Sequence, residues 1–307
     1  MILEQTKISV VRQRPVFINV LLAARPLHWI KNIFVFSALV FSLKLFQVDA
    51  VFVSLLVFLI FCFVSSAVYM INDIADRDED RRHPSKRTRP ITSGQMNTKQ
   101  TLVAACIFGL AGVTLSLLAN FWVVALASGY MLMNIFYSLM LKKILILDVI
   151  IIAMGFVLRV FAGGFALNYK LSNWILICTF FLSALVGFSK RRYEITADGS
   201  SFHENKGYTP YLLDLLIMAT AASVISSYAF YVMSRGNWQN GLTLLISIAV
   251  VFFGVIRYVL IIYRSEEQLD HTKLILTDKP LVASVLIWIG LLITEIYVIN
   301  PHLQIMR

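Results

Sequence analysis

Three carboxylates carry the clearest chemistry in this chain. In the run Asn72-Asp73-Ile74-Ala75-Asp76-Arg77-Asp78-Glu79-Asp80, the residues Asp73, Asp76 and Asp80 are spaced by three and four. On a helix that spacing puts them on one face, with Asn72 at its edge and Asp78 pointing elsewhere. Like charges so placed repel by roughly 0.3 kcal/mol per pair, so a helix gains nothing from collecting them unless a cation is bound. Oxygen ligands without His or Cys suit Mg²⁺, which keeps water and substrate phosphates in its shell. The plainer reading is a solvated loop with its acids paired to Arg77, Arg81 and Arg82.

Cations follow at once, in Arg81-Arg82-His83-Pro84-Ser85-Lys86-Arg87-Thr88-Arg89-Pro90-Ile91-Thr92-Ser93-Gly94. Two prolines and a glycine predict an ordered, turn-rich loop. Arg forks match phosphate oxygens and Lys adds a point charge, so Lys86, Arg87 and Arg89 are candidate phosphate ligands. Acidic metal ligands beside such cations describe a Mg²⁺–diphosphate site. Attraction to lipid headgroups, worth about 1 kcal/mol per cation, explains the charge but not the acidic face.

Other polar residues stand at span ends or within spans. Lys31 and Asn32 open the first apolar block, where Lys31 could either snorkel to the interface or hold a phosphate. Tyr137 and Lys142 close the fourth, while Asp148 and Arg159 lie in the fifth. An ion at the bilayer centre costs about 2.5–3.5 kcal/mol, so Asp148 and Arg159 should face the bundle interior. Eleven residues separate them, about three turns, so each needs some other partner. After the sixth block, Ser189-Lys190-Arg191-Arg192-Tyr193-Glu194 reads as a charged span end or as a second anion-binding wall.

The elements that must position these groups follow from composition. Of 307 residues 59% are hydrophobic and 14% charged, against about 25% charged in a soluble domain. The apolar residues come in blocks of roughly 20, enough to cross a hydrocarbon core. Nine spans are predicted, near 28–46, 50–71, 98–118, 121–140, 144–166, 173–188, 211–233, 241–262 and 280–299. No cleavable leader is expected in residues 1–26. Cys62, Cys106 and Cys178 fall inside apolar blocks without metal spacing and read as small hydrophobes.

With the N-terminus inside, 20 of the 27 Lys and Arg residues fall on one side of the membrane, 4 on the other and 3 within spans. Under the positive-inside rule, the segment 1–27 and the loops 72–97 and 189–210 are cytoplasmic. The asymmetry accounts for the formal charge of +10 through the lipid bilayer, without nucleic acid. The cell's inner (plasma) membrane is the expected location.

These motifs resemble the UbiA superfamily of intramembrane transferases over nearly the whole chain. Asn72-Asp73-x-x-Asp76-x-x-x-Asp80 is similar to the family's first acidic motif, and Tyr137-x-x-x-Leu141-Lys142 to one found in part of it. The resemblance is narrower to decaprenyl-phosphate phosphoribosyltransferases. It rests on Arg25-Pro26-x-x-Trp29-x-Lys31-Asn32, His83-Pro84-x-Lys86-Arg87-x-Arg89-Pro90-Ile91-x-Ser93-Gly94, Gly155-Phe156-x-Leu158-Arg159 and Ser189-Lys190-Arg191-Arg192-x-Glu194. Aromatic prenyltransferases of the superfamily carry a second aspartate-rich motif after the sixth helix. Here Lys190, Arg191 and Arg192 hold that place, with only Glu194 and Asp198 acidic.

The resemblance implies an all-α membrane bundle of nine helices around a central cavity, with residues 28–307 as one transferase domain. It implies Mg²⁺ on Asp73, Asp76 and Asp80, with phosphoribosyl diphosphate as donor and a polyprenyl phosphate as acceptor. Lys31, Asn32, Asn72, Lys86, Arg87, Arg89, Tyr137, Lys142, Asp148, Arg159, Lys190, Arg191, Arg192 and Glu194 would line the substrates. Two other readings stand beside it: an aromatic prenyltransferase with a prenyl diphosphate donor, and a membrane transporter built on Asp148 and Arg159.

Overall fold

Apolar runs with few helix breakers wind into helices, and every regular element among the described residues is helical. The computed structural model describes residues 14–82, 86–196, 207–234, 242–264 and 277–299. In chain order the elements are α1 (Val16–Ala24), α2 (Pro26–Phe41), α3 (Val48–Ala75), α4 (Arg77–Asp80), α5 (Thr98–Ser116) and α6 (Phe121–Leu139). Then come α7 (Leu147–Ala166), α8 (Asn173–Thr196), α9 (Pro210–Ser234), α10 (Leu242–Arg264) and α11 (Lys279–Ile293), which runs on into a π-helical turn, Thr294–Ile299. Side-chain caps start several of them. Asn97 and Gln100 form a reciprocal box at α5, Asn120 caps α6, and Asp278 caps α11.

Eight of these helices are long and apolar enough to cross a membrane. The ninth expected span, near 28–46, corresponds to the shorter apolar helix α2. Its first part, Pro26–Phe36, is a 3₁₀ coil, and only Ser37–Phe41 is α-helical. A 3₁₀ coil rises about 2.0 Å per residue, so α2 extends about 30 Å with fewer residues than an α-helix needs. It packs hard on α7: a Cβ on Gly163 would stand 2.0 Å from the Val35 carbonyl oxygen. Only glycine permits that approach.

The helices pack in sequence. α3 lies against α5 and α6, α6 against α7, α7 against α8, α8 against α9, α9 against α10 and α10 against α11. Tyr297, in the π-helical turn, brings the last helix back to the first turns. Its hydroxyl donates to the Val40 carbonyl at 3.0 Å and accepts from the Leu45 amide at 3.2 Å. Inside, Val149, Leu185, Leu213 and Ile217 form one buried cluster, and Val57, Ile60, Phe61 and Val64 another. Outward, Leu110, Phe121 and Leu286 are exposed, as suits lipid contact.

Helix length places the chemistry. α3 has 28 residues, about 42 Å at 1.5 Å per residue, and overshoots a hydrocarbon core of about 30 Å. Its last turns therefore carry Asn72 and Asp73 clear of the apolar layer. The 24 residues of α8 do the same for Lys190, Arg191 and Glu194.

Candidate active site

The acidic run does not continue α3 as one straight helix. α3 ends at Ala75, and Asp76 (φ −97°, ψ 2°) forms a joint before α4. The bonds Asp76 N–H to Asn72 O (2.9 Å) and Asp80 N–H to Asp76 O (2.8 Å) bridge that joint. The joint divides the three carboxylates. Asp73 and Asp80 are each 2% exposed, and Arg89 Nη1 donates to both, at 3.0 Å to Asp73 Oδ1. Lys86 Nζ stands 3.9 Å from Asp80 Oδ1. Asp76 instead turns to Lys142, and accepts from Asn72 Nδ2 at 2.7 Å. Ser138, the last residue but one of α6, donates to Asn72 Oδ1 at 3.0 Å.

The expectation of a single chelating face is therefore corrected to a pair, Asp73 with Asp80, and a third acid on the α6 side. Asp78 behaves as the spacing predicts. Its side chain is 91% exposed, 3.8 Å from Arg81.

Arg25 also reaches Asp73, from the turn between α1 and α2. Its backbone is left-handed (φ 53°, ψ 63°), which ends α1 and lets Pro26 begin α2. The guanidinium lies 5.2 Å from the centre of the Tyr69 ring. Burial pulls its pKa below the ordinary arginine value, while Asp73 pulls the other way.

Among the described residues, no group of three His, Cys, Asp or Glu side chains is gathered so as to enclose a metal ion. The donor set nonetheless fits Mg²⁺ better than a metal that needs a full protein cage. It consists of carboxylate oxygens only, two of them buried together, and Mg²⁺ usually takes one or two carboxylates and completes its shell with water and phosphate.

A second polar wall faces the first. Arg191 Nε donates to Asp148 Oδ2 at 3.0 Å, Nη1 to Glu194 Oε2 at 2.8 Å and Nη2 to the Tyr137 hydroxyl at 3.4 Å. Asp148 is fully buried and also accepts from Tyr208 at 2.7 Å. Lys190 is more than half exposed, 3.8 Å from Glu194 Oε1, and within electrostatic reach of Lys31 and Lys86. Tyr137 and Lys142 join the two walls, since both sit at the end of α6 or just after it.

Arg192 departs from expectation. It leaves α8 on another side, donates to Asp214 Oδ1 at 2.5 Å and lies 4.1 Å from the Tyr263 ring centre. It ties α8 to α9 and α10 rather than joining Arg191.

Deeper in the bundle, Arg159 is 3% exposed. It donates to Asn32 Oδ1 at 2.7 Å, to the Gly155 carbonyl at 2.8 Å and to the Tyr130 hydroxyl at 2.8 Å. The rings of Tyr130, Phe156 and Phe61 surround its guanidinium at 4.5, 5.3 and 5.7 Å. Among the described residues no carboxylate pairs with it. Asp148 and Arg159 thus face inward with separate partners, as their spacing requires.

Lys31 is partly buried near the start of α2, and Arg87 is exposed. His83 and Asp198 lie outside the described residues. Sequence reasoning did not pick out Ser138, Tyr130 or Tyr208, whose partners are 29 to 66 positions away. Arg25 stood inside a quoted motif, and its left-handed backbone is the signal that was absent from the letters.

Comparison with known proteins agrees with this geometry. The model of the UbiA prenyltransferase family matches residues 32–276. A decaprenyl-phosphate phosphoribosyltransferase of Corynebacterium glutamicum is 29% identical over 295 residues, covering 90% of this chain and 86% of the relative. That of Mycolicibacterium smegmatis is also 29% identical, covering 90% and 91%. The solved structure of a UbiA homolog from Archaeoglobus fulgidus bound to GPP and Mg²⁺ superposes with a TM-score of 0.67 at 17% identity, covering 89% of this chain and 96% of that one. The acidic joint after α3, the bundle that carries it and the family match together lead to one conclusion: this chain belongs to the UbiA prenyltransferase family.

Proposed function

We propose that the chain transfers 5-phosphoribose from phosphoribosyl diphosphate to a polyprenyl phosphate, releasing diphosphate, at the cytoplasmic face of the inner membrane. The observation that carries this is the cationic second wall. Lys190 and Arg191 stand where an aromatic prenyltransferase would have acids, and a donor with an additional 5-phosphate needs cations there. The names of the relatives from C. glutamicum and M. smegmatis support the same reading.

Asp73 with Asp80, and Asp76 from the other side, would hold Mg²⁺, which supplies Lewis-acid neutralisation of the leaving diphosphate. Arg25, Lys86, Arg89 and Lys142 already pair with these acids and offer the diphosphate its cationic surround. Two unit charges about 4 Å apart repel by about 4 kcal/mol at an effective dielectric near 20, so two phosphate-bearing substrates cannot meet unshielded. Lys31, Asn32 and Arg159 bind the acceptor phosphate; Arg159 is a buried cation whose described neighbours include no carboxylate. A phosphate oxygen is already an anionic nucleophile, so no general base is needed, and positioning and electrostatics supply the rate. The polyprenyl tail leaves between the apolar helices. The product is suited to serve as a precursor of a lipid-linked pentosyl donor for envelope glycans.

A second reading, prenyl transfer from a prenyl diphosphate, draws on the GPP-bound A. fulgidus homolog. Diphosphate release separates the two. Purified protein should release diphosphate from phosphoribosyl diphosphate only when a polyprenyl phosphate is present; release only from a prenyl diphosphate would replace the first reading with the second.

A further inference from the structure

The turn that starts α7 is strained. Ile146, a β-branched residue, has φ 66° and ψ −42°, and the Leu147 amide donates to the Leu145 carbonyl at 2.7 Å. This is the left-handed, three-residue γ-turn, rare and costly for any residue but glycine. A strained turn persists only where its surroundings hold it. Here the Ile146 amide donates to the Tyr208 hydroxyl at 2.9 Å, across 62 positions of sequence. The same hydroxyl donates to Asp148 Oδ1 at 2.7 Å. Tyr208 is 2% exposed, so its hydroxyl is locked between these two partners. The other oxygen of Asp148 accepts from Arg191.

We propose that Tyr208 is a positioning residue for the donor-binding wall: its hydroxyl holds the Ile146 turn and Asp148, and through Asp148 it orients Arg191 and Glu194. The inference rests on the reading that Arg191 faces the phosphoribosyl diphosphate. Tyr208 itself touches no substrate. It lies just before α9, so the Ile146 turn and the aim of Arg191 are set by one hydroxyl.

The test uses the full chain in lipid nanodiscs. Tyr208→Phe keeps the ring and removes the hydroxyl. The donor KM should rise at least fivefold, with kcat and the acceptor KM changing less than twofold. Adding Ile146→Gly, which takes up φ > 0 without strain, should bring the donor KM back at least halfway, because the turn then no longer needs the hydroxyl. An unchanged donor KM in Tyr208→Phe overturns the proposal. So does an equal rise in both KM values with no rescue by Ile146→Gly, since that is the mark of a general packing defect. Arg191→Gln serves as the control: if it too leaves the donor KM unchanged, the donor-wall reading fails. If it raises the donor KM while Tyr208→Phe does not, only the role of Tyr208 fails.

Discussion

Arg89 Nη1 lies 3.0 Å from Asp73 Oδ1, and the same nitrogen bonds Asp80. A residue of the basic loop thus closes over two acids from either side of the joint at Asp76. The site holds its own counter-charge, and the cations that neutralise its acids are the groups a diphosphate requires.

Asp73 therefore has no silent replacement. Asp73→Asn keeps size and hydrogen bonding but removes the charge that Arg25 and Arg89 share. Turnover should fall by at least about a hundredfold, the scale seen when one preorganised electrostatic group is lost. Mn²⁺ binding, followed by electron paramagnetic resonance in the presence of diphosphate, should weaken in parallel. Normal Mn²⁺ binding in the variant would remove Asp73 from the metal site.

Two adjacent arginines should behave differently. Arg191 faces Asp148 and Glu194, whereas Arg192 faces Asp214 and Tyr263. Arg191→Gln should raise the donor KM roughly tenfold, the loss of about 1.4 kcal/mol of binding. Arg192→Gln should leave both KM values in place and cost about 0.5–1 kcal/mol of stability, as expected for a partly exposed pair. Steady-state kinetics alongside unfolding in detergent check both, and a donor KM effect in Arg192→Gln would contradict the division.

Arg159 gives the acceptor its own signature. Arg159→Leu should raise the polyprenyl phosphate KM at least about tenfold, because a charge-assisted contact contributes about 1.5–3 kcal/mol. The donor KM should stay within twofold. A variant that loses donor affinity instead would move the acceptor phosphate elsewhere.

Asp148 should matter to folding as well as to function. It is fully buried and accepts from both Arg191 and Tyr208, so Asp148→Ala leaves two buried donors without their acceptor, at a cost of about 3 kcal/mol. Denaturation in mixed micelles reads this directly, and a variant as stable as the parent would show that Glu194 alone satisfies Arg191.

The bundle was legible because apolar runs of roughly 20 residues admit few structures in lipid. The first passage was legible as an apolar block but not in its form, since hydropathy counts residues and does not see that Pro26–Phe36 rises as a 3₁₀ coil. At the site, the spacing of Asp73 and Asp80 gave their shared face, whereas the joint at Asp76 left no mark in the letters. Arg191 and Arg192 are neighbours in sequence but about 100° apart around a helix, and only the packing of α9 and α10 tells them apart. Tyr208 was invisible for a related reason: its partners are about 60 positions away, and no periodicity connects them.

The most direct measurement offers the purified protein two donors side by side, in nanodiscs with Mg²⁺. One is labelled phosphoribosyl diphosphate with a polyprenyl phosphate; the other is a prenyl diphosphate with 4-hydroxybenzoate. The account predicts lipid-extractable label from the first pair only, abolished by chelation and by Asp73→Asn. Label from the second pair alone would contradict it.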